Sequence, residues 1–271
     1  MSGWLAPAVR HRFGSYAFDM QHRDLPSGRR AELAGSFGPA AETYERGRPG
    51  YPDDVIDWLV PPGAGRVIDV GAGTGKLTRQ LLDRGLEVTA VDPSEEMLTV
   101  LRRVAPRAEA RSGTAERIPL PDGSADLVVA AQSWHWADPE VGSREFARVL
   151  RAGGTAGLVW NFADESVEWV ARLGAAFTDG GAISRATELP GLSSPFADVE
   201  RFDTRFTVRM TRSDVTDMVS SRSYVISATD EQRSRVLAEV DGVLDELLPD
   251  GVPALEFPYV TVAFRAVRPT G

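Results

Sequence analysis

Cysteine is absent from this 271-residue chain, and lysine and asparagine occur once each, as Lys76 and Asn161. The first absence removes disulfides, thiolate metal sites and cysteine nucleophiles. The scarcity of lysine beside 29 arginines is what a GC-rich genome leaves, and it raises the question of why one lysine stands where it does. Positive charge is also in deficit: the formal net charge is −9 and the isoelectric point about 5.0. Nucleic-acid binders usually carry a basic footprint, so this balance argues against one. Long apolar runs are missing too. Trp4–Val9 is broken by Pro7 and followed by Arg10, His11 and Arg12, which is not a secretory signal. Nothing approaches the roughly 18 apolar residues of a membrane helix, so a cytoplasmic protein without membrane partners is expected.

What is present is ordinary for a globular domain, with 42% hydrophobic and 25% charged residues. Residues 1–35 stand apart. They carry a net charge of +2 while the remaining 236 residues carry −11, and they lack clean periodicity. They read as a flexible or partner-dependent arm, a candidate for bridging the subunits of a homo-oligomer. From residue 53 onward a regular rhythm begins. The pattern predicts helix over 53–60, strand over 66–70, helix over 77–83, strand over 87–91, and a helix capped by Ser94 with Glu95 and Glu96 in its first turn. Short strands follow at 108–112 and 126–131, then a helix over 143–150 stopped by Gly153-Gly154, and a buried strand over 155–161. Alternation at this spacing implies βαβ units and a parallel sheet. Beyond residue 163 the pattern predicts a strand over 202–210 and helices over 211–221 and 230–248. Around 260–265 it predicts an antiparallel strand solvated on one side, near an edge.

The first strand runs into its helix through Asp69-Val70-Gly71-Ala72-Gly73-Thr74-Gly75-Lys76. Glycine-rich turns of this kind let a ligand approach backbone N–H groups closely. Spacing separates the ligand classes. A P-loop would need glycine at position 70 and Ser or Thr after the lysine, but Val70 and Leu77 stand there. A dinucleotide fingerprint needs G-x-G-x-x-G, which fails starting from either Gly71 or Gly73. Lys76 then reads as a spectator. What remains is a G-x-G-x-G with Asp69 two residues before it and Asp92 17 residues beyond Gly75, at the end of the next strand. Asp92 suits ribose hydroxyls and Asp69 an ammonium group. A ligand with a ribose and an amino group but no phosphate fits S-adenosylmethionine.

These residues resemble the first two motifs of the Rossmann-like, class I S-adenosylmethionine-dependent methyltransferases. The resemblance covers residues 36–162 well and the C-terminal third loosely. It implies an α/β fold, doubly wound, with a mostly parallel sheet, a C-terminal antiparallel strand and a helical lid, and with residues 36–271 forming the methyltransferase domain. Lid and acceptor elements would lie at 36–52 and 163–250. It implies that Asp69, Gly71, Gly73, Thr74 and Gly75 cradle the cofactor. Asp92 would bind ribose, with Pro93 and Met97 beside the adenine and Thr114, Ala115 and Glu116 along its edge. The family often has Asp where this chain has Thr114, which can accept a hydrogen bond but brings no charge. Upstream, Tyr44-Glu45-Arg46, Arg48-Pro49 and Tyr51-Pro52 resemble a small-molecule branch similar to trans-aconitate and ubiquinone-pathway methyltransferases. There Tyr44, with Arg48, would close over the cofactor.

The loop after the fourth strand, Gln132-Ser133-Trp134-His135-Trp136, falls where ligands bind in such sheets. Gln132 would border the cofactor. His135 is the only histidine beyond the N-terminal arm, and imidazole suits general-base work near neutrality. It would remove a proton from the acceptor, position the acceptor, or serve the structure. Trp134 and Trp136 offer flat faces to a cation or a planar acceptor. Trp160 ends the next strand, and Arg222 and Tyr224 fall between the late helices, where they would meet the acceptor. No cluster has metal-ligand spacing. The reading is an enzyme methylating a small, planar or aromatic acceptor at O, N or C. The rival readings are a non-catalytic S-adenosylmethionine-binding protein and an NAD(P)-dependent oxidoreductase.

Overall fold

A computed structural model describes residues 45, 47–175, 191–222, 225–226 and 228–270. The expected N-terminal arm lies outside these. In chain order the elements are α1 (Asp53–Leu59), β1 (Arg66–Val70), α2 (Lys76–Asp83), β2 (Glu87–Asp92), α3 (Glu95–Val104), β3 (Glu109–Ser112) and β4 (Ala125–Ala131). A short 3-10 turn (Trp134–Trp136) leads to α4 (Pro139–Val149) and β5 (Leu150–Ala163). Then come α5 (Glu168–Ala175), β6 (Glu200–Met210), α6 (Arg212–Ser220), α7 (Asp230–Leu247) and β7 (Leu255–Val267).

The strands form one sheet in the order β3-β2-β1-β4-β5-β7-β6. The pairs from β3 through β5 are parallel, and β7 runs antiparallel to both β5 and β6. Both faces of β1, β4 and β5 are covered, so these strands read as nearly continuous apolar runs rather than alternating ones. On one face Ile68, Val128, Phe146 and Leu158 share a core. On the other Ile56, Leu81, Leu101 and Val129 do. A third core joins α5, α6 and α7 to β6 and β7 through Leu173, Met218, Val240, Leu244 and Phe257. Among the described residues no helix is long and apolar enough to cross a membrane.

The structure corrects two boundaries and one placement. The helix expected from residue 143 begins at Pro139, because Asp138 caps it by accepting hydrogen bonds from the Glu140 and Val141 amides (2.9 and 3.1 Å). Its polar first turn carries no apolar stripe to announce it. It ends at Val149, before the two glycines, and the chain passes directly into β5. The terminal strand β7 is not at the edge but lies between β5 and β6, with Val260, Val262 and Ala263 buried. The edge on this side is β6, whose Arg201, Asp203, Arg205 and Arg209 are exposed, a charged rim that discourages further strand pairing. Removing the cap of α4 by Asp138→Ala should lower unfolding free energy by about 1 kcal/mol in urea titrations.

Candidate active site

The β1–α2 turn is built on three glycines with left-handed backbone, Gly71 (φ +67°), Gly73 (+55°) and Gly75 (+89°). The amides of Gly71 and Ala72 donate to the Val91 carbonyl (2.7 and 3.1 Å), which ties the turn to the end of β2. A side chain at Gly71 would strike Ser133 on the neighbouring loop at 2.3 Å, whereas one at Gly73 would meet nothing within 4 Å. The turn is thus closed against β4 on one side and open on the other.

The two acids bear on the turn differently: Asp69 lines the cavity beside it, while Asp92 stands behind the Gly73 amide and outside the cavity lining. Asp92 accepts from the Gly73 amide (2.8 Å) through one oxygen and from the Ser94 amide (2.9 Å) through the other. Burial pushes its carboxyl up from the ordinary value, against the pull of those amides. Asp69 is buried at the end of β1, where Thr78 Oγ1 donates to Oδ2 at 2.6 Å. Its Oδ1 has no hydrogen-bond partner among the described residues. Burial, reinforced by the charge of Asp92, pushes Asp69 up to about 7 although Thr78 opposes the shift. A buried carboxylate with an orphaned oxygen beside an open glycine cradle fits a ligand that brings a cation.

Asp69, Gly71, Gly73, Gln132, Asn161 and Arg222 line one cavity. Gln132 is held with φ +55°, its amide nitrogen donating to the Asn161 carbonyl at 2.7 Å. A non-glycine residue in this conformation is a local strain of the sort found at ligand clamps. Asn161 crosses the top of the sheet. Its Nδ2 donates to the Gly50 carbonyl (2.9 Å) and its Oδ1 accepts from Thr261 (2.7 Å).

The segment before α1 straps this cavity. Glu45 accepts from Thr74 Oγ1 (2.6 Å) and pairs with Arg79 (2.8 Å) and Lys76 (3.5 Å). The Tyr51 backbone exchanges two hydrogen bonds with the Gln80 side chain (2.9 and 2.7 Å). Arg48 donates to the Ser221 hydroxyl and carbonyl at 3.2 and 3.4 Å, which ties the strap to the end of α6. Lys76 is therefore not a spectator: it lines the cavity and anchors Glu45.

Other expected site residues stand elsewhere. Trp134 is buried in the core, its ring 4.8 Å from that of Phe146 and its indole N–H donating to the Gly191 carbonyl. Trp160 is buried edge-on to Phe264. Neither faces the cavity. The cause is local: the 3-10 turn directs Trp134 inward, and Trp160 occupies a core-facing position of β5. His135 is buried beside the half-buried Trp136, rings 5.0 Å apart, and neither lines the cavity. Pro93, Met97, Thr114, Ala115 and Glu116 follow the carboxyl ends of β2 and β3, also outside it, and Thr74, Gly75 and Asp92 are not among its lining residues either. The Thr114 backbone pairs with Arg117, and the Glu116 carboxylate accepts from the Asp138 amide at 2.8 Å. Tyr44 and Tyr224 lie outside the described residues. Tyr259 and Lys76 line the cavity with no site role expected of them, and Glu45 and Tyr51 stand in the expected lid without an expected contact of their own. Tyr259 shares a parity with Thr261 and Ala263, and that alternation was the available signal.

Residues 68–158 match a family model described as a methyltransferase domain. An uncharacterized methyltransferase of Mycobacterium tuberculosis (strain H37Rv) is 48% identical over 240 residues, covering 88% of this chain and 97% of that one. A methyltransferase-like protein of Schizosaccharomyces pombe is 32% identical over 247 residues, covering 86% and 95%. A solved type II methyltransferase structure from Anaeromyxobacter dehalogenans superposes with a TM-score of 0.64 at 24% identity, covering 83% of this chain and 99% of that one, which shows the shared fold. With a glycine turn between two buried acids on a sheet of this topology, and near-complete relatives at this identity, the chain belongs to the Rossmann-like, class I methyltransferases, a family whose methyl donor is S-adenosylmethionine.

Proposed function

We propose that this chain transfers a methyl group from S-adenosylmethionine to a small-molecule acceptor. The observation that carries the reading is Asp69, with one orphaned buried oxygen, set across the open Gly73 turn from Asp92. Asp69 would hold the ammonium group of the donor and Asp92 its ribose hydroxyls. Bound there, S-adenosylmethionine supplies an electrophilic methyl group on a sulfonium whose thioether leaves readily. The protein's task is then to align the acceptor and exclude water. Arg48, Pro49 and Tyr51 of the strap line the cavity, and the Gln132–Asn161 bond stiffens another part of its lining.

A cavity of this kind on a chain of net charge −9 supports a small acceptor rather than nucleic acid. With Trp134 and Trp160 in the core, the flat side chains at the cavity are Tyr51 and Tyr259, and these support a planar acceptor in their stead. His135 does not line the cavity, so we assign it a positioning part through the loop that carries Gln132.

Calorimetric titration with S-adenosylmethionine and S-adenosylhomocysteine tests the reading. Binding by the intact chain is expected, and Asp92→Ala should weaken it about tenfold, since each charge-assisted hydrogen bond contributes about 1.5–3 kcal/mol. Binding of NADH in preference to either ligand, or of neither, would sink the proposal. Binding without turnover on any acceptor would favour a non-catalytic role.

A further inference from the structure

Asn161, the chain's single asparagine, interrupts the apolar run Leu158-Val159-Trp160-Asn161-Phe162 at the carboxyl end of β5. It is 5% exposed and lines the cavity. Side chains alternate between the faces of a strand, so Gly157, Val159 and Asn161 share one face. On that face Val159 packs with Ile56, Leu59 and Leu81, and a carbon added at Gly157 would lie 2.9 Å from Leu59 of α1. Four residues beyond Gly157 the same face meets the strap instead, where Asn161 Nδ2 donates to the Gly50 carbonyl at 2.9 Å. The amide has one workable orientation. A carbonyl only accepts, so the nitrogen must face Gly50, and the oxygen then faces Thr261, the cross-strand neighbour on β7, whose hydroxyl donates to it at 2.7 Å. The Asn161 backbone carbonyl is engaged as well, accepting from Gln132 Nε2 at 2.7 Å.

Burying an amide costs desolvation that its hydrogen bonds only offset, and an apolar side chain at position 161 would fill the same space without that cost. What the amide supplies is direction. Its bonds end on three separate stretches of the chain, and two of these, the strap with Arg48, Pro49 and Tyr51 and the loop with Gln132, line the cavity. Other ties of the strap run to helices, from Glu45 and Tyr51 to α2 and from Arg48 to the end of α6. The Gly50 bond ties it to the sheet. We propose that Asn161 is a positioning residue that sets how long the methyl donor stays in the cavity, by holding the strap to the carboxyl end of β5 beside Gln132. This rests on the methyltransferase reading and adds to it a residue that acts through its neighbours. Release of the donor then requires the strap to part from the sheet, and Thr261 acts one step behind by keeping the amide nitrogen turned towards Gly50.

The test follows the release of methyl-labelled S-adenosylmethionine from the full chain into an excess of unlabelled S-adenosylhomocysteine, beside urea unfolding of the same variants. Asn161→Leu keeps the volume and adds no charge near Asp69. It should release the label about tenfold faster than the wild type, the scale on which a lost buried hydrogen bond acts. Thr261→Val leaves the Gly50 bond but not what orients it, and should speed release about threefold. The double variant separates positioning from stability. With both partners of the Asn161–Thr261 bond made apolar, it should regain part of the urea midpoint lost in Asn161→Leu, because no hydroxyl is left buried without its acceptor. Its release should nevertheless stay as fast as in Asn161→Leu, because Gly50 is still untied. Wild-type release from Asn161→Leu, or release that slows in the double variant in step with its recovered stability, overturns the proposal. If Asn161→Leu alone does not fold, Thr261→Val and the double variant carry the comparison, and wild-type release from both is the overturning result. Failure of the wild-type chain to bind the labelled donor would instead overturn the methyltransferase reading beneath it.

Discussion

Asp69→Asn is expected to make the free protein more stable at pH 8 while costing it at least about thirtyfold in affinity for S-adenosylmethionine. The carboxyl has an ordinary value of 3.8 and is pushed up to about 7 in the folded chain, chiefly by burial. Between those values the folded state holds a proton that the unfolded state has lost, so stability falls as pH rises from about 4 to about 7, and above that the full penalty remains. An amide removes the ionisation and still accepts from Thr78, so the variant should gain roughly 1–4 kcal/mol at pH 8. That gain should shrink on acidification and vanish near pH 4. The affinity loss has the opposite origin: truncating one member of a buried charge pair costs about 2–5 kcal/mol. The donor's ammonium needs the ionised acid, so wild-type binding near pH 6 should release close to one proton, measurable by calorimetry in two buffers of different ionisation enthalpy. Near pH 8.5 the release should be absent. An unchanged affinity in Asp69→Asn, or no proton release, would refute the assignment of Asp69 to the cation.

Gly71→Ala should destabilise the protein by about 2–4 kcal/mol and abolish cofactor binding. Two costs add. A left-handed conformation costs a non-glycine residue about 1 kcal/mol, and an overpacked contact about 1–3. Here the new carbon would lie 2.3 Å from Ser133 Cβ and 2.5 Å from its hydroxyl oxygen. Ser133 cannot swing aside without loss, because its hydroxyl donates to the Val70 carbonyl at 2.8 Å. Gly73→Ala is the matched control, with a similar φ of +55° and open space around the added methyl group. It should lose only about 1 kcal/mol of stability, yet still weaken binding, because its open side is where the ligand enters. Urea unfolding of the pair separates the terms. If both variants unfold at the same midpoint, close packing of the two loops is not what requires glycine at position 71.

The parts of this site that could be read from the chain are those whose partners are near in sequence. Asp69, the three glycines and Asp92 lie on one strand–turn–helix–strand unit, and the unit's geometry places them together. Ser94 and its acidic first turn cap α3 as expected, with Ser94 Oγ accepting from the Met97 amide at 3.2 Å. The rest of the cavity lining is different. Arg48, Arg222 and Tyr259 meet only through the sheet order that inserts β7 beside β5, and nothing local to any of them reports it. Trp134 shows the converse error. A tryptophan next to a candidate histidine invites a functional reading, but one residue of phase in a 3-10 turn decides between cavity and core, and composition carries no phase. Lys76 has no phosphate motif around it, so its surroundings in the chain give it no role. Its role comes from Glu45, 31 positions away.

The position of β7 has a consequence for how the protein is made. Among the strands of the sheet, β6 pairs with β7 and with no other, and β5 presents its outer side to β7 as well. During synthesis, β6 and the helices that rest on it therefore emerge from the ribosome with nothing to pair against until residues 255–267 follow. The half built on β1 to β4 can close on contacts already delivered, whereas the half built on β6 waits for β7, which also brings Tyr259 to the cavity. A ribosome stalled shortly before that strand would hold a chain with its glycine turn formed and its cavity still open on the side that Tyr259 closes.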